Sequence, residues 1–212
     1  MTPDMETLRK ELFAGHDPAM LAVWQKAVVG IAGAGGLGSN IAISLARAGI
    51  GTLVIVAFDV VSTTNLNRQQ FFLDQVGMPK VDALAANLER INPFCHCQIH
   101  NLRITPDNLC EIFSACDILI EAFDLAEQKQ MLLETWQELY PERPCIAASG
   151  LAGFGRNELI RVVKLDNIYL CGDGVSELTP GVSPIAPRVA IVANMQANLC
   201  LELLIKASKQ DK

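Results

Sequence analysis

Apolar runs and amphipathic stretches alternate along the chain between residues 27 and 150. The short apolar runs are typical of buried strands, and the segments between them carry apolar residues at helical spacing. The predicted strands are residues 28–32, 52–58, 97–102, 117–122 and 145–148. The predicted helices are residues 39–48, 80–90, 106–113 and 125–139. This alternation predicts an α/β fold with a doubly wound, mostly parallel, Rossmann-like sheet.

The pattern changes on both sides of this core. Residues 1–26 are mixed in charge and spaced like one or two helices, which predicts an N-terminal helical segment. Residues 151–212 predict a C-terminal extension that consists of a hairpin at 154–165, a loop rich in Gly and Pro at 167–187, and a closing helix at 188–205. The three segments together, residues 1–212, are expected to form a single domain.

Composition excludes several classes of protein. Only 6% of the residues are aromatic although 50% are hydrophobic, so aliphatic side chains must fill the core, as in a parallel sheet covered by helices. A net charge of −6 argues against nucleic acid as the main partner, because phosphate binding needs a basic face. The longest apolar stretches contain glycines or polar residues, so no membrane span is predicted. Seven scattered cysteines and an N-terminus unlike a signal peptide predict a cytoplasmic protein.

Four glycines mark the turn after the first predicted strand. Gly33, Gly35, Gly36 and Gly38 match the pattern G-x-G-x-x-G between a strand and a helix. Glycines there let the backbone approach a phosphate, which the helix N-terminus stabilises through its free N–H groups and its dipole. The turn therefore predicts a nucleotide site. On this motif alone two alternatives stay open: a glycine turn needed only for helix packing, and an NAD-dependent oxidoreductase in which Asp59 holds the ribose.

A more specific pattern follows the second predicted strand. It consists of Asn65-Leu66-Asn67-Arg68-Gln69 and, further along, Gly77-Met78-Pro79-Lys80. Together with the glycine turn, it resembles the adenylating domain of the ThiF and MoeB family, relatives of the ubiquitin-activating enzymes. The resemblance is strongest over residues 28–150 and weaker through the closing helix. It implies adenylation of the C-terminal glycine of a small ThiS-like sulfur carrier that ends in Gly-Gly, with release of pyrophosphate, in thiamine biosynthesis. It also implies a homodimer.

The same resemblance assigns roles to individual residues. Gly35 would lie against the nucleotide, and Asn65, Arg68 and Lys80 would contact its phosphates. Asp124 would organise magnesium and the attacking carboxylate, so ATP and Mg²⁺ are the expected cofactors. This set suits the chemistry: a carboxylate needs no general base at neutral pH, but bringing it onto a phosphate requires cations and a metal. The alternatives are that Arg68 and Lys80 are solvated surface charges and that Asp124 is a helix N-cap.

Three departures from the family pattern bear on function. Ala57 stands where the family has a ribose-binding aspartate. Asp59 is two residues further along, where strand alternation would place it on the same face, and it is expected to replace that aspartate in part. The zinc-binding Cys-x-x-Cys pairs of the family are missing, so no zinc is expected, and Cys95-His96-Cys97 is interpreted as a buried structural segment. No cysteine lies between residues 172 and 199 to form a covalent link to the carrier. These departures leave open a non-catalytic binding subunit for a carrier or a partner enzyme.

Overall fold

The computed structural model describes residues 4–177 and 179–210. Its helices and strands alternate along most of the chain. The helices are α1 (Met5–Leu12), α2 (Pro18–Trp24), α3 (Gly36–Ala48), α4 (Lys80–Ile91), α5 (Pro106–Phe113), α6 (Ala126–Leu139) and α7 (Ala186–Gln210). The strands are β1 (Val28–Ala32), β2 (Thr52–Val56), β3 (His96–His100), β4 (Ile118–Glu121), β5 (Cys145–Ala148), β6 (Arg161–Leu165) and β7 (Ile168–Gly172).

All these strands belong to one sheet with the order β3-β2-β1-β4-β5-β7-β6. Every neighbouring pair is parallel except β6 and β7, which are antiparallel. The predicted fold class, a mostly parallel Rossmann-like sheet with a C-terminal hairpin and closing helix, is confirmed. The chain runs outward from β1 on one side to β2 and β3, and on the other side to β4 and β5. Such a reversal of direction at the sheet centre opens a crevice at the carboxyl ends of the strands.

Helices cover both faces of the sheet. On one face Ile41 and Leu45 of α3, Leu84 of α4 and Val192 of α7 are fully buried against the strands. On the other face Leu109 and Phe113 of α5 pack with Trp136 of α6. Because each helix buries an apolar stripe, the inner strands β1, β2, β4 and β5 have no solvent-facing side, which explains their continuous apolar runs.

The closing helix α7 belongs to the core. By length and composition its residues Ala186–Lys209 could cross a membrane, but half of this apolar segment is buried inside the protein. Ala193 and Cys200 have no exposed surface, and the helix packs along α3 and against α2. Its apolar character therefore reflects contact with the sheet and with α3.

The C-terminal hairpin lies further along the chain than the sequence predicted. The prediction at residues 154–165 is wrong: the two strands are β6 and β7, and β7 falls inside the predicted loop. A two-residue turn, Asp166–Asn167, connects them, and Asp166 has a positive φ of 52°. Asp and Asn adopt this left-handed conformation more easily than most residues, so the Asp-Asn pair was the signal for the turn.

A buried ion pair attaches the start of α7 to the end of β7. The carboxylate of Asp173 accepts a bond of 2.5 Å from the guanidinium of Arg188, and both side chains are at most 3% exposed. Burial on its own raises the pKa of Asp173. Hydrogen bonds from the backbone of Ser176 and Val175, the Ser176 hydroxyl and Arg188 outweigh that effect and lower the pKa from its ordinary 3.8 to about 2. Arg188 also donates to the carbonyl of Gly155, so three segments meet at this pair.

Asp173→Asn is expected to lower the free energy of unfolding by about 3 kcal/mol at pH 7, because it leaves the buried guanidinium without its partner. In the wild type this contribution is complete above pH 3.8 and is lost as the pH falls towards 2, since the folded pKa is the lower one. Urea titrations at several pH values measure both effects. As a control, Glu6→Gln removes the exposed Glu6–Lys10 pair and should leave stability unchanged. Equal effects of the two variants would contradict the prediction.

Candidate functional site

A cleft of about 850 Å³ opens at the carboxyl ends of β1, β2, β4 and β5. This is the crevice expected where the direction of the sheet reverses. It lies between the glycine turn on one side and the segment that precedes α7 on the other. Its lining includes Gly33, Gly35, Gly36, Ala57, Phe58, Asp59, Arg68, Gln69, Lys80, Arg103, Asp124, Lys129 and Glu177.

Glycine occurs at the positions of the turn for two different physical reasons. Gly33 has a φ of 116°, and a Cβ there would lie 2.7 Å from the carbonyl oxygen of Ala122. A Cβ at Gly38 would lie 1.8 Å from the carbonyl oxygen of Gly33. Both positions therefore require glycine for the turn itself. At Gly35, by contrast, the nearest heavy atom would be 3.8 Å away, so the protein leaves space there that faces the cleft.

Gln69 lies beside this space. The residue is 7% exposed, and its side-chain carbonyl oxygen Oε1 has no hydrogen-bond partner within the described residues. A buried amide oxygen without a partner is costly unless a ligand or water satisfies it. Gln69 belongs to the motif that the sequence analysis used, but it received no role there. The Nε2 of this amide is the heavy atom nearest to a Cβ placed at Gly35, and its Oε1 lacks a partner within the described residues, so Gln69 is a candidate ligand contact.

The loop that carries Arg68 is held against α3. The side-chain amide of Asn40 donates to the carbonyl of Gly36 at 2.7 Å and to that of Arg68 at 3.2 Å. Arg68 lies along the cleft, half-buried, and its guanidinium donates to Asn67 Oδ1 at 2.9 Å. Asn65 uses its side-chain oxygen to accept a bond from the backbone N–H of Ser62 at 3.1 Å, which closes the loop. Asn65 is absent from the cleft lining, so the structure brings Arg68 to the cleft and gives Asn65 a partner in the loop.

Lys80 and Asp59 form an ion pair at one side of the cleft. The Lys80 ammonium lies 2.9 Å from Asp59 Oδ2, and its side chain is 8% exposed. The backbone N–H of Lys80, at the start of α4, donates to the carbonyl of Asp59 at 2.9 Å. Because β2 ends at Val56, strand alternation does not extend to Asp59, and its carboxylate turns towards Lys80. The carboxylate expected to serve the ribose thus has a partner inside the protein.

Asp124 is exposed and lines the cleft between β4 and α6. The residue in the N-cap position of α6 is Leu125, which makes no side-chain cap bond. Within the residues that the structure describes, the carboxylate of Asp124 accepts no hydrogen bond. The N-cap alternative for Asp124 is therefore wrong, and the carboxylate remains available to a ligand.

A second carboxylate near the cleft was not predicted. Glu121, the last residue of β4, is fully buried, and its carboxylate accepts bonds from the ammonium of Lys129 and from the backbone N–H of Phe123 at 2.7 Å. Burial raises the pKa of Glu121, although the nearby Lys129 opposes this. Lys129, on α6, lines the cleft. The buried carboxylate therefore fixes the position of a cleft cation.

The charge of the cleft differs in sign from that of the chain. Four cationic side chains line it against three carboxylates, whereas the whole chain has a net charge of −6. Lys80 and Lys129 are each paired with a carboxylate, but Arg68 and Arg103 form no ion pair in the part of the chain that the structure describes. Unpaired guanidinium groups beside a helix N-terminus favour an anionic ligand.

The chain matches the family model described as "ThiF family" over residues 9–212. This chain belongs to the ThiF family. The predicted family is confirmed, and the glycine turn, the loop of Arg68 and Lys80 all lie inside the matched region.

Curated relatives are 30–38% identical to this ThiF-family chain over the regions that align with it. Adenylyltransferase and sulfurtransferase UBA4 of Candida glabrata is 30% identical over 188 residues, which is 85% of this chain and 43% of the relative. Molybdopterin-synthase adenylyltransferase of Haemophilus influenzae is 38% identical over 103 residues, 48% of this chain and 42% of the relative. The tRNA threonylcarbamoyladenosine dehydratase of Escherichia coli is 36% identical over 115 residues, 53% of this chain and 43% of the relative. The chain thus spans less than half the length of these relatives.

Solved structures agree in fold. The E. coli tRNA N6-threonylcarbamoyladenosine dehydratase TcdA in complex with ATP has a TM-score of 0.87 and 21% identity, with 100% of both chains covered. The complex of the same enzyme with AMP has a TM-score of 0.85 and 22% identity, with 99% of both chains covered. At this identity the likeness shows that the ThiF-family chain shares the fold of an ATP-binding protein.

The cysteines show no metal centre. Among the described residues, no group of three or more His, Cys, Asp or Glu side chains is arranged to hold a metal ion. Cys95 and Cys97 are half-buried rather than buried, and His96 is exposed. Cys95 precedes β3, and the Cys97 thiol lies 3.9 Å from the backbone carbonyl oxygen of Cys95, so the two residues are neighbours. The absence of zinc stays a prediction for this ThiF-family protein.

Proposed function

We propose that this protein uses Mg-ATP to adenylate the C-terminal glycine of a ThiS-like sulfur carrier that ends in Gly-Gly, releasing pyrophosphate. We place this activity in the cytoplasm, in thiamine biosynthesis, with the chain acting as a single domain and as a homodimer. The observation that carries the proposal is the free carboxylate of Asp124 in the same cleft as Arg68, Lys80 and the glycine turn. The family and the names of the adenylyltransferase relatives support it.

In this proposal the nucleotide lies on the glycine turn. The space at Gly35 lets the backbone approach the phosphates, and the N-terminus of α3 stabilises their charge. Arg68 and Lys80 contact the phosphates from the two segments that follow β2. Asp59, the carboxylate partner of Lys80, lies at the edge of this phosphate-binding part of the cleft. The amide of Gln69 supplies a further polar contact beside Gly35.

The reaction brings a carboxylate onto a phosphate, and the two anions repel each other. The cationic residues of the cleft reduce this repulsion. The carrier carboxylate is ionised at neutral pH, so it attacks the α-phosphorus without a general base, and pyrophosphate leaves with the electrons of the broken P–O bond. Arg68 and Lys80 offset the negative charge that develops on the phosphate oxygens. Asp124 fits Mg²⁺, which prefers a carboxylate oxygen together with phosphate oxygens and water, and the ion would neutralise the triphosphate.

The likeness to the E. coli tRNA threonylcarbamoyladenosine dehydratase gives a second candidate, a nucleoside in tRNA. That nucleoside also carries a carboxylate on its threonyl group. The charge of this chain favours the carrier: with a net charge of −6, the surface repels an RNA backbone. A non-catalytic binding subunit is the third candidate, which Ala57 and the lack of a cysteine before α7 allow.

The purified protein should exchange labelled pyrophosphate into ATP only when Mg²⁺ and a carrier ending in Gly-Gly are both present. The assay has four arms: ATP and Mg²⁺ with no addition, with the carrier, with a carrier that lacks its last glycine, and with tRNA containing threonylcarbamoyladenosine. A parallel arm omits Mg²⁺. Exchange requires a reversible acyl-adenylate, so it reports the chemistry rather than binding.

Each other result overturns the proposal in a different way. Exchange with tRNA and not with the carrier would assign the chain to the second candidate. Tight ATP binding with no exchange in any arm would identify a binding subunit. Exchange with the shortened carrier would show that the terminal glycine is not the acceptor.

A further inference from the structure

The nucleoside end of the cleft lacks the usual acidic side chain. In a doubly wound sheet the end of the second strand faces the ribose of a nucleotide bound on the first glycine turn, where a carboxylate accepts bonds from the hydroxyls. Here Ala57 follows β2 directly, and its backbone N–H is taken by the carbonyl of His100 at 3.2 Å. The methyl group of Ala57 cannot accept a hydrogen bond from a ribose hydroxyl, and it carries no charge that would repel a phosphate.

A cation lies beside the residue that follows Ala57. The guanidinium of Arg103, in the segment after β3, lies over the ring of Phe58 at 4.2 Å from its centroid. Phe58 is the residue next to Ala57, and all three line the cleft. Stacking on an aromatic ring fixes the guanidinium plane and leaves its edge N–H groups free to donate. Arg103 makes no side-chain hydrogen bond or ion pair within the described residues.

The neighbouring carboxylate does not neutralise this cation. Asp59 is two residues beyond Ala57, but it is bound to the ammonium of Lys80 at 2.9 Å. The ribose end therefore presents a methyl group, an aromatic ring and an unpaired guanidinium. In dinucleotide-binding folds, replacing the acid by a nearby arginine is what allows a ribose phosphate to bind.

We propose that Arg103 binds a phosphate group on the ribose, so that the cleft accepts an adenine nucleotide phosphorylated at its 2′ or 3′ hydroxyl. The inference rests on the proposed function in one respect, that the nucleotide lies on the glycine turn. Such a nucleotide competes with ATP for the cleft, and Arg103 is its specificity-determining residue. ATP itself uses the same turn without the additional contact.

Titration calorimetry tests this with four ligands: AMP, adenosine 2′,5′-bisphosphate, adenosine 3′,5′-bisphosphate and inorganic phosphate. One of the two bisphosphates should bind at least about tenfold more tightly than AMP, the scale expected for hydrogen bonds to a charged group. Which of the two binds more tightly identifies the phosphorylated hydroxyl. Inorganic phosphate should bind far more weakly, because it lacks the nucleoside.

Three variants isolate the contact. Arg103→Ala should remove the advantage of the bisphosphate and change AMP affinity by less than about threefold. Arg90→Ala, an exposed arginine in the last turn of α4, is the matched control and should keep the advantage. Ala57→Asp should make AMP bind more tightly than the bisphosphates, because the new carboxylate repels a ribose phosphate and accepts hydrogen bonds from the free ribose hydroxyls of AMP.

Wild-type protein that binds AMP as tightly as both bisphosphates would overturn the inference, as would a bisphosphate advantage that persists in Arg103→Ala. If ATP binds and pyrophosphate exchange proceeds in the same preparation, the proposed function stands although this inference has failed. If no adenine nucleotide binds, both have failed.

Discussion

Asp124→Asn is expected to reduce carrier-dependent pyrophosphate exchange more than about a hundredfold, the scale observed when a preorganised polar group is removed from a transition state. The exposed carboxylate accepts no hydrogen bond within the described residues and caps no helix, so its loss should not disturb the fold. Asparagine keeps the size of the side chain and removes only its charge. The rate at saturating ATP and carrier, with circular dichroism as the folding check, measures the effect.

The matched control is Asp107→Asn. Asp107 lies in the first turn of α5 and is also exposed, but it does not line the cleft. Its variant should exchange at the wild-type rate. Arg68→Ala and Lys80→Ala should each resemble Asp124→Asn in rate. Wild-type rates for Asp124→Asn would show that this carboxylate has no part in the reaction, whatever the control does.

Gly38→Ala is expected to destabilise the protein by more than about 3 kcal/mol, which places it among the most severe single substitutions. The new methyl group would lie 1.8 Å from the carbonyl oxygen of Gly33, a backbone atom that cannot move without opening the turn. Chemical denaturation monitored by tryptophan fluorescence, or a loss of soluble folded protein, measures this effect.

Gly35→Ala is the comparison that separates folding from binding. A Cβ at Gly35 has no heavy atom closer than 3.8 Å, and the backbone there, with φ −83° and ψ −148°, lies just beyond the β region of L residues, so the variant should lose clearly less stability than Gly38→Ala. Its methyl group would occupy the space proposed for the phosphates, and ATP affinity should fall at least about tenfold. If Gly35→Ala binds ATP normally, the nucleotide does not approach the turn at this point.

Much of the fold follows from local pattern. The strands β1, β2, β4 and β5 have apolar side chains on both faces, and that composition identifies them without reference to the rest of the chain. The edge strand β3 has exposed or half-buried side chains, so its apolar pattern is weak. Its start was predicted one residue too late, at residue 97 instead of His96. The glycine turn was recognised, but the helix after it was predicted to begin at residue 39, whereas α3 begins at Gly36, inside the motif. The low helix propensity of glycine argued against this earlier start, and packing against the sheet outweighs that propensity.

The cleft was predictable only where its residues belong to a motif. Arg68, Lys80 and Asp124 were found because each lies in a recognisable run, and the structure brings all three to one cleft. Lys129 has no such run: it reaches the cleft because α6 folds back over the sheet and its ammonium meets the buried Glu121. The orientation of Asp59 was inferred from strand alternation, which stops at Val56, and tertiary contact with Lys80 decides it instead.

The strand order has a consequence for how the chain folds. The central strand β1 pairs on one side with β2, a near neighbour in the chain, but Val29 on its other side pairs with Ile118, which is synthesised much later. Helix α7, whose contacts with α3 are the most extensive between any two helices, comes last. Contacts between distant segments delay folding, because the chain must close long loops before those contacts stabilise it. A ribosome-bound chain that stops before α7 should therefore expose the apolar face of α3 and require a chaperone to remain unaggregated.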